Sequence, residues 1–349
     1  MALTQPMTPS RAQRIAVFRA LNLGDMLCAI PALRALRRAR PQAEITLVGL
    51  PWAHILRPRY GGYVDRFVAF PGGAGLPERQ PAAGELEAFF AGMREAEFDL
   101  ALQMHGSGPA SNAVVAAFGA RRAIGLGDRA PEDRIEVWPY DDARHEVRRC
   151  LHLLEAGLGI GEADDALEFP LHEEDWWELQ RYPEPHAATT APYVCLQAGA
   201  RDPAKRWPVA HFARVGDALA ASGYRVVLTG SGAERELARQ VADRMRDPAV
   251  NAACDISIGG LAALLSGASL LVSNDTGVAH LAAALRVRSV VIFFATDLRR
   301  WGPPDNGRHR VCQAAVAPEP EAVLEQALAL LSATERREVS RNRTAPVPS

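Results

Sequence analysis

Short apolar runs alternate with amphipathic stretches along nearly the whole chain. Residues 15–18 predict a strand, 26–40 a helix, 45–48 and 64–70 strands, 85–97 a helix and 98–102 a further strand. After a helix over 144–157 comes a stretch, 177–192, in which Pro183, Pro185 and Pro192 gather among polar and small residues, and 181–192 reads as a linker. The alternation then restarts, with strands at 193–196, 225–228, 269–273 and 289–294 and helices at 209–221, 233–245, 261–265 and 278–285. This strand–helix–strand grammar predicts an α/β protein of two domains, 1–180 and 193–331, facing each other across a cleft with ligands at the carboxyl ends of the strands. A last helix at 319–331 leaves 332–349, ending in Pro346 and Pro348, as a polar tail expected to be disordered.

Composition sets limits rather than function. At 349 residues the chain is long for one core, which favours two domains. Hydrophobic residues make up 48% and charged residues 23%, as in an ordinary soluble protein, and no apolar run approaches the length that spans a bilayer. Arg11 and Arg14 precede the first strand with no apolar stretch before it, so a cytoplasmic location is expected. Five cysteines (Cys28, Cys150, Cys195, Cys254, Cys312) lie far apart without a C-x-x-C pair, which argues against a disulfide framework and against a zinc site. A formal charge of −2 is not that of a nucleic-acid binder.

The candidate chemistry sits at two strand-to-helix turns. A strand ending at Ser273 runs into Asn274, Asp275, Thr276 and Gly277, and an apolar helix carrying His280 begins at once. Free N–H groups and the positive dipole end at such a helix start suit phosphate, Gly277 admits a ligand close to the backbone, and Thr276 adds a hydroxyl. Asp275 and Thr276 would serve equally well as plain helix caps. The other turn runs from Arg19 through Asn22 to Gly24 and Asp25 and lacks the G-x-G-x-x-G pattern. Gly230 and Gly232 are followed by Arg235 where a third glycine would stand, so a nicotinamide-dependent dehydrogenase is disfavoured. Asp25 offers a single carboxylate after a flexible glycine, as a base or as a helix cap.

Taken in order, these residues form a set: Arg19, Gly24, Asp25 and Pro31; Gly199 with Lys205, Arg206, Trp207 and Pro208; Gly230 and Glu234; Ser273, Asn274, Asp275, Thr276, Gly277 and His280; and Thr296, Asp297, Trp301, Gly302 and Pro303. The set resembles glycosyltransferase family 9, the heptosyltransferases of lipopolysaccharide core assembly, over nearly the whole chain. The resemblance implies a GT-B architecture of two Rossmann-like domains, the N-terminal one for the acceptor and the C-terminal one for a nucleotide-diphosphate sugar, usually ADP-L-glycero-β-D-manno-heptose. It also implies an inverting transfer with no catalytic metal and no cofactor beyond the nucleotide-sugar substrate, and no D-x-D triplet occurs in the sequence. On this resemblance Asp25 is the base and Lys205 a charge aimed at the diphosphate, together with the backbone of Thr276 and Gly277. Asp275 would hold sugar hydroxyls, Glu234 the ribose, and His280 phosphate or sugar. Glu234 near a helix start could instead complement the dipole, His280 could be a core histidine, and Trp301 either core or the cover of the donor pocket.

The acceptor side is less legible. Its candidates are Arg19, Asn22 and Gly24 of the first turn, and His105 and Ser107, which read equally as a polar loop after a strand. Arg34, Arg37, Arg38, Arg57, Arg59, Arg121 and Arg122 would either meet phosphates of an anionic lipid-linked acceptor, with the protein peripheral at the cytoplasmic face of the inner membrane, or form a solvated basic surface. The chain departs from the family where Phe294 and Ala295 precede Thr296 and Asp297, since members often carry Gly-Pro there; this bears on donor identity. The expected function is inverting transfer of heptose from an ADP-activated donor to a lipopolysaccharide inner-core acceptor. The alternatives are transfer from another nucleotide sugar or to a non-lipid acceptor, and nucleotide-sugar binding without transfer.

Overall fold

Strands that are apolar along their whole length must be covered on both faces, and Arg14–Phe18 and Glu44–Gly49 are buried from their second residue on. In the computed structural model, which describes residues 13–128, 134–161, 163–303 and 307–344, these runs are β1 and β2. They join β3 (Arg66–Ala69), β4 (Leu100–Gln103), β5 (Arg122–Leu126) and β6 (Glu136–Trp138) in a parallel six-stranded sheet of order β3-β2-β1-β4-β5-β6. Ala16, Phe18, Val48 and Ala101 pack with Phe70, Phe98 and Phe118, and Phe18 meets Phe70 edge-on with ring centroids 5.0 Å apart. Ile15, Val17, Ile45 and Leu47 alternate to the opposite face and are equally buried. The helices Leu23–Ala39 and Glu146–Leu158 of this unit pack on each other.

The second sheet holds β7 (Tyr193–Gln197), β8 (Arg225–Leu228), β9 (Ala249–Asn251), β10 (Leu270–Asn274), β11 (Ser289–Phe293) and β12 (His309–Gln313), all parallel, in the order β12-β11-β10-β7-β8-β9. Its core gathers Val194, Leu196, Phe212, Leu228, Val272 and Ile292 around Trp207. Counted within its own unit, each sheet reads 3-2-1-4-5-6, the Rossmann order, whose strand order reverses between the first and fourth strands. A ligand crevice therefore belongs beyond the ends of β1 and β4 in one unit and of β7 and β10 in the other.

The chain divides into compact units Met1–Ala166 and Leu167–Ser349, so 181–192 is not the connection between them. Pro183 instead opens the helix Pro183–Ala188, where a missing N–H is harmless. The preceding helix Glu173–Gln180 is tied to the second unit by Glu178, which accepts from the Ser257 N–H at 2.7 Å. At the other end the last helix runs Pro320–Thr344 rather than stopping near 331. Residues 333–339, Ala-Thr-Glu-Arg-Arg-Glu-Val, contain no glycine or proline to end it. The rest of the expected tail, 345–349, lies outside the described residues.

Candidate active site

Beyond β1 the chain turns into the helix Leu23–Ala39, with Asn22 at the N-cap and Asp25 as its third residue. The cap position is thus taken by Asn22, whose exposed side chain makes no capping hydrogen bond, and Asp25 is not a cap. Gly24 is buried beside it. Arg19, one of the acceptor-side candidates, is 0% exposed. Its guanidinium turns inward, donating to the Asp25 carbonyl at 2.7 Å, to the Met104 carbonyl and to Glu146 Oε1 at 3.0 Å, with Asp25 Oδ1 at 3.9 Å.

Beyond β4 lies the loop that carries His105 and Ser107. Gln103 holds it: its Oε1 accepts the N–H groups of His105 (2.6 Å) and Gly106 (3.1 Å), while its Nε2 donates to the Gly106 carbonyl (2.7 Å) and to Asn112 Oδ1 (2.8 Å). His105 stacks on Phe18 and accepts the Ala20 N–H at Nδ1 (3.2 Å), which leaves the proton on Nε2, 3.9 Å from Glu78 Oε2. Ser107 is exposed. Burial first, then the Arg19 charge, pull the His105 pKa down to about 4. An unfolded chain therefore binds a proton here between pH 6.5 and 4 that the folded one does not, and stability falls as pH drops through that window. The loss is on the order of 3 kcal/mol. Urea melts of wild type and His105→Gln should show a stability gap that narrows by roughly this amount between pH 7 and about pH 4.5; a gap that stays constant would refute the assignment.

In the second unit the switch point is built around Asn274. Its amide donates to the Ala198 carbonyl at the end of β7 (2.8 Å), and its Oδ1 accepts the Trp207 N–H (2.9 Å), so one side chain at the tip of β10 pins the 198–207 loop. Trp207, 1% exposed, anchors the same loop from below through its indole N–H to the Pro318 carbonyl (2.9 Å). Lys205 is thereby delivered to Asp275, Nζ to Oδ2 at 3.0 Å, and Thr296 donates its hydroxyl to the same oxygen at 2.6 Å. Asp275 is nearly buried, its side chain 6% exposed against 27% for Lys205. Thr276 caps the helix Gly277–Ala284 by accepting the Val278 N–H at 3.2 Å. His280 is buried in that helix and faces Trp301 edge-on, with centroids 6.2 Å apart.

Glu234 lies at the end of β8. Its Oε2 accepts from the Ser231 N–H (2.9 Å) and hydroxyl (3.0 Å), so it completes a capping box. Gln197, fixed by the Thr229 hydroxyl at 2.9 Å, turns its Nε2 toward the same carboxylate. The other oxygen, Oε1, would lie 1.9 Å from a Cβ at position 199; only glycine leaves room for the carboxylate over the end of β7. Gln103, Gln197, Asn274 and Thr296 thus support the site, although only Asn274 and Thr296 stood inside the sequence motifs. The arginines of the first unit are largely engaged: Arg34 with Asp164 (3.1 Å), Arg37 with Asp65 and the Ala43 carbonyl (2.7 Å), Arg57 with the Asp65 carbonyl (3.0 Å), Arg121 with Asp99 (3.5 Å) and Arg122 with Glu136 (2.7 Å).

Two Rossmann-type sheets, with a carboxylate after the first strand of one and a lysine beside a helix start at the switch point of the other, fit a glycosyltransferase of the GT-B class. The chain belongs to glycosyltransferase family 9 (heptosyltransferase), whose model matches residues 86–330. It is 28% identical over 295 residues to lipopolysaccharide heptosyltransferase 1 of Pseudomonas aeruginosa, covering 81% of this chain and 79% of that protein. A shorter match to lipopolysaccharide heptosyltransferase 3 of Escherichia coli, 37% identical over 133 residues, covers 37% of this chain and 39% of that protein. In fold it is similar to the solved E. coli ADP-heptose lps heptosyltransferase II, with a TM-score of 0.73 and 23% identity over 93% of this chain and 100% of that one. Among the described residues no helix is long and apolar enough to cross a membrane, and no group of His, Cys, Asp or Glu is placed to hold a metal.

Proposed function

We propose that this protein moves a heptose from an ADP-activated donor to a lipopolysaccharide inner-core acceptor by a single inverting displacement. The observation that carries this reading is the Lys205, Asp275 and Thr296 cluster beside the start of the helix Gly277–Ala284, at the switch point of the second sheet. Asp25 accepts the proton of the acceptor hydroxyl as its oxygen attacks the anomeric carbon, and the bond from that carbon to the diphosphate oxygen breaks on the opposite face. The departing negative charge meets Lys205 and the backbone N–H groups of Thr276 and Gly277. Asp275, oriented by Thr296, holds sugar hydroxyls, and Glu234 the ribose through its Oε1 edge. His280 supports the donor pocket from inside the helix. Asn22, Gly24, His105 and Ser107 belong to the acceptor side, and the enzyme works at the cytoplasmic face of the inner membrane.

With a lysine and a helix start in the role that Mg²⁺ fills in metal-dependent transferases, activity should persist in excess EDTA. Loss on chelation that a divalent ion restores would overturn this account of the leaving group. The transferred sugar is tested by mass spectrometry of the surface glycan in a strain lacking the protein. Truncation starting at one inner-core heptose is expected; loss of a different sugar, or an intact glycan, would overturn the assignment.

A further inference from the structure

A buried guanidinium needs both its donors and its charge matched. Arg19 shares its cation between two carboxylates, with Nη2 3.0 Å from Glu146 Oε1 and 3.9 Å from Asp25 Oδ1. Glu146 is shared in turn, because its other oxygen takes Arg149. Arg149 lies 4.2 Å over the Tyr140 ring and donates to the carbonyls of Asp141 (3.0 Å), Asp142 (3.3 Å) and Arg144 (3.0 Å). Glu146 and Arg149 are each 3% exposed, so this chain of charges is internal. Two arginines stand against two carboxylates, and the set is neutral only while Asp25 is ionised.

We propose that the buried Glu146 and Arg149 pair positions Asp25 through Arg19: it fixes the guanidinium that holds the Asp25 turn, and by taking part of that guanidinium's charge it sets how strongly Asp25 binds a proton. The proposal rests on the reading of Asp25 as the base. Arg19 also holds the Met104 carbonyl, so it ties the turn after β1 to the loop that Gln103 shapes after β4. Among the described residues, other titratable groups around it include Cys28 of the first helix, Cys150 of the helix Glu146–Leu158, and His105, with Glu78 beyond it. Burial pushes the Cys28 thiol well up and Cys150 up to about 11, and it keeps His105 neutral above about pH 4. Near neutral pH, then, Arg19, Glu146 and Arg149 are the charged groups of this cluster that act on Asp25.

The test is the pH profile of kcat/KM for Glu146→Gln and Arg149→Met, with Arg149→Lys as the conservative variant and melting curves for each. In Glu146→Gln the whole of Arg19 falls to Asp25. The acid limb should move down by about one pH unit, and kcat should drop several-fold with the donor KM unchanged. In Arg149→Met the whole of Glu146 falls to Arg19, and the limb should move up; Arg149→Lys should restore it. Folded variants whose acid limbs coincide with wild type, or move in the same direction, would overturn the proposal. So would unfolding of both Glu146→Gln and Arg149→Met, which would make the pair a purely structural element. Asp25→Asn, assayed alongside, separates the two readings. Normal turnover there removes Asp25 as the base, whereas an inactive Asp25→Asn with unshifted limbs removes only the positioning role.

Discussion

Asp25→Asn is expected to lower kcat by about 10²–10⁴ while leaving the fold and the donor affinity close to wild type. The substitution keeps the shape of the side chain and removes its charge together with its capacity to take a proton, while Arg19 keeps its ion pair with Glu146. The helix does not depend on it as a cap, since Asn22 occupies that position and Asp25 lies in the first turn. What the helix loses is a carboxylate near its positive end, about 0.3–1 kcal/mol. ADP release in a coupled assay, read beside a thermal melt, decides the matter. Near-normal turnover would place the base elsewhere, and a large fall in melting temperature together with activity would point to a structural role.

Lys205→Ala is expected to weaken ADP binding by more than about tenfold while leaving adenosine binding nearly unchanged, because a charge-assisted contact of about 1.5–3 kcal/mol to the diphosphate is lost and no nucleoside contact is. The lysine also neutralises Asp275, whose carboxylate is 6% exposed, so calorimetry should be run on protein shown to be folded. Glu234→Ala should weaken both ligands, but it also opens the Ser231 capping box. Glu234→Gln keeps the box and removes the charge, and so isolates the ribose contact. Equal and small effects of Lys205→Ala on the two ligands would put the lysine outside the diphosphate site.

Strands β1, β2, β4, β7, β8, β10 and β11 were legible because they are apolar on both faces and fall where such runs occur, and β3 lies within the strand expected at 64–70. The inner strand β5 and the edge strands β6, β9 and β12 carry charged, polar or small residues, as in Arg122 to Leu126 or Glu136 to Trp138, and are specified by pairing with a neighbour rather than by their own pattern. The boundary at Ala166 and Leu167 has no proline cluster to mark it, whereas the prolines at 183 and 185 that suggested one lie within a helix. At the site, the turn chemistry of Asp25, Lys205, Asp275 and Thr276 could be seen because it lies in continuous motifs. Glu146 and Arg149 could not, because their connection to Arg19 spans more than a hundred residues and exists only when the helix Glu146–Leu158 packs on the helix Leu23–Ala39.

Each sheet repeats the same strand order and so has a switch point of its own. The loops after β1 and β4 are held by hydrogen bonds within the first unit, and Asn274, Trp207 and the cluster around Asp275 by hydrogen bonds within the second. On the proposed division of labour, a lineage built on this plan would change what receives the sugar by editing the first half of the gene and what is transferred by editing the second. For protein engineers the natural unit of exchange is then a whole strand-loop-helix crossover from one half, taken with the side chain that staples its loop.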